Sequence, residues 1–214
     1  MTPTKWGKLQ WILWWFKWWL GNWDPWCKQH MTAYTFDRRA TLPPSQYFEK
    51  VSPNTFDPLA IVRNGGGTNF GQPLVRGLEF ILLHRDLDTC FIMITDGQAP
   101  YPNIEVSLFN MVRNYMNNLG KVVCVLCYHI KEHDNDLAPV AFVNMCNNLQ
   151  GRSFSYRSST FQTDLATSLK TESTAYLQTR SAASSGPTQN NNNIPDFSIP
   201  FDPSSIIPPG IPSP

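Results

Sequence analysis

The sequence predicts an α/β fold built on a mainly parallel sheet, and three observations carry that reading. Short apolar runs of strand length, such as residues 90–95 (CFIMIT) and 121–128 (KVVCVLCY), alternate with longer segments whose apolar residues recur every three or four positions. The connections between them are short, as in βαβ units. Polar and glycine-containing turns stand where the apolar strands stop, notably Asp96-Gly97.

Taken in order, residues 3–20 form a first helix. Leu9, Leu13, Phe16 and Leu20 repeat at 4-3-4 spacing, Pro3 suits the first turn, and Gly21-Asn22 is a stop signal. Trp11, Trp14, Trp15, Trp18 and Trp19 widen this stripe to nearly the whole circumference, so an exposed aromatic patch is expected. Residues 31–36 (MTAYTF) read as a short strand, and 39–42 as a hairpin partner that Pro43-Pro44 ends. Residues 52–63 read as an irregular loop with one helical turn. A helix over 69–84 places Phe70, Leu74, Leu78 and Ile81 on one face. The run at 90–95 is continuous, as in a strand covered on both sides. Residues 104–119 are amphipathic through Val106, Phe109, Val112 and Met116, with Gly120 as C-terminal cap. A second buried strand follows at 121–128, then a helix at 138–149, a strand at 153–156 and a closing helix at 161–177. From Ser181 the composition turns to Pro, Ser and Asn without periodicity, which predicts a disordered tail over 181–214 behind a domain of residues 1–180.

Composition narrows the partners. The chain has 214 residues, and 42% hydrophobic content is enough for a core of its own. Only 15% of residues are charged and the formal net charge is +1, so the basic stripe wanted by nucleic acid is missing. Five cysteines, an odd number at irregular spacing, suit reduced thiols and a cytoplasmic setting better than a disulfide framework. Residues 9–20 (LQWILWWFKWWL) are shorter than the ~20 apolar residues a membrane span needs, Lys17 interrupts them, and no small-residue cleavage site follows. Residues 5–26, with Lys5, Lys8 and Lys17, could instead lie in a membrane interface. The periodicity favours a domain helix.

Two stretches carry chemistry. One is the glycine loop Gly65-Gly66-Gly67-Thr68-Asn69, which opens a helix. The other is Ile94-Thr95-Asp96-Gly97, where an acidic residue follows a buried strand. In open α/β sheets ligands gather outside the carboxyl ends of the strands. A hydroxyl and a carboxylate converging there are hard oxygen donors, suited to Mg²⁺ or Mn²⁺. Alone, each stretch also reads as an ordinary turn.

In this order and spacing, GGGTNFGQPL, a helix, FIMITDG, a second helix and KVVCVLCY resemble the later half of a von Willebrand factor A domain. The segment AYTFDRRATLPP is similar to that family's second strand and the edge strand after it, and the likeness spans roughly residues 5 to 170. The resemblance implies a doubly wound sheet with helices on both faces. It also implies a non-enzymatic protein-interaction module that captures a partner's carboxylate through a cation. Thr68 would bind that cation through its hydroxyl, and Asp96 directly or through water. The family's site begins with Asp-x-Ser-x-Ser at the end of a central first strand. That motif does not occur in this sequence, and residues 2–16 (TPTKWGKLQWILWWF) resemble the helix that follows it. The expectation is therefore a domain lacking its central strand, with an incomplete site and weak or absent metal binding. The alternatives are a membrane-interface protein acting through the Trp/Lys helix, or a fragment with no function of its own.

Other candidates read as structural. Cys124 and Cys127 have a zinc-pair spacing, with His129 and His133 beyond, but in a strand the two thiols point to opposite faces. Asn103, Glu105, Asp134 and Asp136 read as polar entries to helices. No nucleophile–base pair or phosphate loop is present, so no enzymatic activity is expected.

Overall fold

The computed structural model describes residues 3–23, 35–36, 40–41 and 68–184. The elements are α1 (Pro3–Trp23), β1 (Thr35–Phe36), β2 (Ala40–Thr41), α2 (Gly71–Leu83), β3 (Thr89–Thr95), α3 (Asn103–Asn118), β4 (Val123–Ile130), α4 (Val140–Asn148), β5 (Arg152–Tyr156) and α5 (Phe161–Ser184). They fall into two compact units. One holds β1, β2 and everything from α2 to β5; the other holds α1 and α5 beyond its first residue. The loop expected at 52–63 and the tail from residue 185 onward lie outside the described residues.

In the first unit β3, β4 and β5 form a parallel sheet in that order, an α/β arrangement with helices between consecutive strands. β1 and β2 pair antiparallel, the expected hairpin, as a separate sheet. Among the described residues β3 therefore has β4 as its single ladder neighbour, and the hairpin does not close onto it. The register sets Thr89 beside Val123 and Thr95 beside His129, then Leu126 beside Arg152 and His129 beside Ser155.

Because side chains alternate along a strand, the odd-numbered positions Met93, Val123, Val125 and Cys127 share one face. They form a core with Phe70, Leu74, Leu78 and Ile81 of the α2 region, Val106, Phe109 and Met116 of α3, and Phe142, Met145 and Cys146 of α4. Burial of each large side chain contributes on the order of 1.5–3 kcal/mol, an upper estimate against an extended chain. The other face is also buried at Leu126, Tyr128 and Ile130. Continuous burial thus belongs to β4. β3, expected to be covered on both sides, is only half-buried at Cys90, Phe91, Ile92 and Ile94.

Several boundaries differ from expectation. β4 starts and ends two residues later than 121–128, because the Asp88 carboxylate accepts the Val122 N–H at 2.7 Å ahead of the ladder. His129 thereby enters the strand. α5 continues past Leu177 to Ser184. On α3, Val112 is half-buried while Arg113, one position on, is buried and donates through its guanidinium to the Leu149 carbonyl at the end of α4. A cation in that place opposes the carbonyl end of the helix dipole.

In the second unit α1 buries Leu9, Trp11, Ile12, Trp15 and Phe16, while Leu13 is half-buried. At 100° per residue the buried arc centres on Ile12 and Trp15, not on the Leu9–Leu13 edge. The expected exposed aromatic patch is not found among the described side chains: Trp6, Trp14 and Trp19 are half-buried. Rings three and four residues apart cover one another, as Trp11 with Trp14 at 6.5 Å and Trp15 with Trp19 at 6.4 Å. On α5, Leu165, Ala166 and Leu169 are buried.

Candidate functional site

Thr68, from the first stretch singled out by sequence, meets the second stretch at the carboxyl end of β3. The Thr68 side chain lies directly over Gly97. A Cβ placed on Gly97 would fall 2.9 Å from the Thr68 Cβ and 3.2 Å from its Cγ2. Only glycine lets the hydroxyl side chain come down onto the turn that carries Asp96. The turn itself is closed by the Thr95 hydroxyl, which accepts the Gly97 N–H at 3.1 Å. Thr95 is buried, whereas Thr68 and Asp96 are half-buried and reachable from solvent.

The helix behind Thr68 is started by its neighbour. The Asn69 side-chain oxygen accepts the Gly71 N–H at 2.9 Å, satisfying one of the donors left open at the first turn of α2. Glu105, in the first turn of α3, sets its carboxylate against Gly71, so that a Cβ there would sit 2.6 Å from Oε1. Residues 68–71 therefore touch the segment after β3 twice, through Thr68 on Gly97 in the turn and through Gly71 on Glu105 in the first turn of α3. Beneath this end, Thr95 and the buried His129 stand side by side across the ladder. The His129 ring packs 5.6 Å from that of Phe142.

Sequence reasoning placed Thr68 and Asp96 together but missed three neighbours. Gly97 was read only as a turn residue, though a glycine next to an acidic ligand candidate is also the signal of a close approach. The Thr95 hydroxyl, two residues before an N–H, had the spacing of a side-chain turn. The Glu105 contact with Gly71 is long-range and has no local signal.

The donor set fits a hard cation in kind but not in number. A Mg²⁺-like ion takes about six oxygen ligands, and the turn contributes one hydroxyl and one carboxylate. Among the described residues no three His, Cys, Asp or Glu side chains are grouped so as to hold a metal.

The remaining candidates have structural roles. Cys127 is buried, and its thiol shares a hydrogen bond with Cys146, which together with burial pushes it well above the usual thiol range. Cys124 is half-buried, and neither cysteine is joined in a disulfide. His133 is exposed in the loop after β4. Asp134 and Asp136 are not helix caps, since α4 begins at Val140. Asp134 accepts the Ser159 hydroxyl at 2.6 Å and its N–H at 3.3 Å, tying the β4–α4 loop to the turn after β5. The hydrogen bond from the Ser159 side chain holds the Asp134 carboxyl below the usual carboxylate range. Asp136 accepts the His133 N–H at 2.8 Å.

No protein-family model, characterised protein or solved structure matches the chain.

Proposed function

We propose that the chain is a non-enzymatic protein-interaction module of the von Willebrand factor A type, with an incomplete metal-ion-dependent adhesion site at Thr68 and Asp96. The reading includes a doubly wound sheet of which β3, β4 and β5 are the later parallel strands. The observation that carries it is the packing of Thr68 onto Gly97, which brings Thr68 to the Thr95-Asp96-Gly97 turn at the carboxyl end of β3. The ligand class is a carboxylate on a partner protein, approached through Mg²⁺ or Mn²⁺ held weakly by one hydroxyl and one carboxylate. Leu9, Ile12, Trp15 and Phe16 are buried, whereas a membrane-interface role for α1 would need such side chains exposed. Among the described residues no helix is long and apolar enough to cross a membrane.

The test is paramagnetic broadening of amide signals as Mn²⁺ is added to the full chain, followed by a short peptide with a single Asp. Broadening is expected at residues 68–69 and 95–97, at millimolar rather than micromolar Mn²⁺, and it should be lost in Thr68→Ala and Asp96→Ala. The peptide should shift the same signals only when the cation is present. Broadening elsewhere, or broadening that both variants retain, overturns the assignment.

A further inference from the structure

α3 is apolar on two faces. Its inner face, Val106, Phe109 and Met116, belongs to the core. On its outer face Ile104, Leu108, Met111 and Tyr115 are 73, 44, 67 and 44% exposed. Their 4-3-4 spacing is that of a coiled-coil seam, one straight stripe along the helix. Leu119, just past the end, extends it.

The surroundings of this stripe are as telling as the stripe. α3 has two charged residues, Glu105 and Arg113, and neither is on the outer face. Arg113 is buried against the Leu149 carbonyl, and the Glu105 carboxylate is turned onto Gly71. The other exposed positions of the helix, 103, 107, 114, 117 and 118, are all Asn or Ser. An interfacial membrane helix needs Lys or Arg beside its apolar face, and a charged partner needs charge for recognition. A two-fold interface has the opposite requirement. Residues near the axis lie close to their own copies, so any charge there would stand near its like.

We propose that the outer face of α3 is a self-association surface, in which two copies of the chain pair their α3 helices antiparallel about a two-fold axis. The seam sets Leu108 against the partner's Met111 and Ile104 against the partner's Tyr115. The apolar side chains on the stripe offer roughly 400 Å² per copy, about 800 Å² in all and short of the ~1,000 Å² a stable interface clears, so the pairing is weak and transient, with Kd in the high micromolar range. The surface is independent of the Thr68–Asp96 end of the sheet.

Sedimentation equilibrium of the full chain tests this, from about 1 μM to a few hundred μM, a span that reaches high micromolar affinity. The mass should rise from 24.4 kDa towards twice that value. Met111→Glu, exposed and so tolerated by the fold, should weaken association at least ~100-fold by placing like charges across the axis. Tyr115→Ser, which adds no charge, should weaken it several-fold. A mixture of Leu108→Cys and Met111→Cys chains should cross-link as a heterodimer more readily than either alone. A monomer throughout the range overturns the proposal, as does a dimer indifferent to Met111→Glu and Tyr115→Ser, or open-ended aggregation. Sedimentation with anionic vesicles that Met111→Glu abolishes, in a chain that stays monomeric, would assign the face to lipid instead.

Discussion

Gly97→Ala probes the contact on which the site rests. Among the described glycines only Gly120 has a positive φ, so backbone strain does not enter at Gly97 and the effect is one of contact. The new methyl would overlap the Thr68 hydroxyl and lie 2.9 Å from the Thr68 Cβ and 3.2 Å from its Cγ2, where carbon atoms settle at about 3.5–4.0 Å. Thr68 is β-branched and stiff at χ1, so the loop or the turn has to move. Overpacking of this kind costs about 1–3 kcal/mol, or several degrees in Tm for a chain of this size. Thr68→Gly removes every atom in the way, so the double variant should recover most of the loss, with a coupling energy of roughly 1–2 kcal/mol in a double-mutant cycle. Gly71→Ala is the control. The atoms nearest its methyl would be the end of the flexible Glu105 side chain, which can swing aside, so stability should change little. Urea unfolding followed by far-UV circular dichroism is the assay. If the Gly97 and Thr68 changes add to within about 0.5 kcal/mol, the two residues do not touch and the site is not assembled as described.

Three further outcomes follow from the packing. Gly120 has φ +69° with open space around it, so Gly120→Ala should cost about 1 kcal/mol from left-handed backbone alone, and Gly120→Asn less, by thermal unfolding. Arg113→Met keeps much of the buried stem but strands the Leu149 carbonyl, and a loss of about 2 kcal/mol is expected for a charged hydrogen bond in urea unfolding. For Asp134 the depressed carboxyl makes a contribution that is present above the unfolded-state carboxylate pKa and is lost as pH falls through the lower folded-state value. Carboxyl NMR titration should show this midpoint below the usual range, and Ser159→Ala should raise it.

Legibility followed periodicity. Phe70, Leu74, Leu78 and Ile81 occupy the core as their spacing requires, and so do Val106, Phe109 and Met116. The strands β3, β4 and β5 were readable as apolar or alternating runs between turns. Arg113 was not, because a buried cation takes its place from a carbonyl supplied by another helix, 36 residues away. Asp134 was misread for the same reason, its partner Ser159 being 25 residues on. On α1 the crowding of tryptophans hid which arc faces inward. At the site, the residue types and their order were legible. The glycine that makes room for Thr68 was not, since a turn glycine and a close-approach glycine look alike until the second chain segment is in place.

Asn69 offers a way to ask whether the Thr68–Asp96 end is short of negative charge rather than wrongly shaped. Its side-chain oxygen accepts the Gly71 N–H at 2.9 Å, and an aspartate oxygen can accept the same bond. Asp and Asn serve equally well at such a helix start, and the extra anion faces the positive end of α2. Asn69→Asp should therefore keep the helix start while adding one charge next to Thr68, against a modest repulsion from the Glu105 carboxylate that also faces Gly71. For a dication several ångströms away at an effective dielectric near 20, the attraction, after salt screening, is on the order of 1–2 kcal/mol. That is about a tenfold tighter apparent affinity for Mn²⁺, read from the same amide broadening at lower cation concentration. Asp96→Asn removes the charge nearest the cation and should weaken the affinity by a larger factor. If Asn69→Asp leaves the Mn²⁺ midpoint where it was while Tm is unchanged, charge is not what limits the site, and the carboxylate-capturing role falls with it.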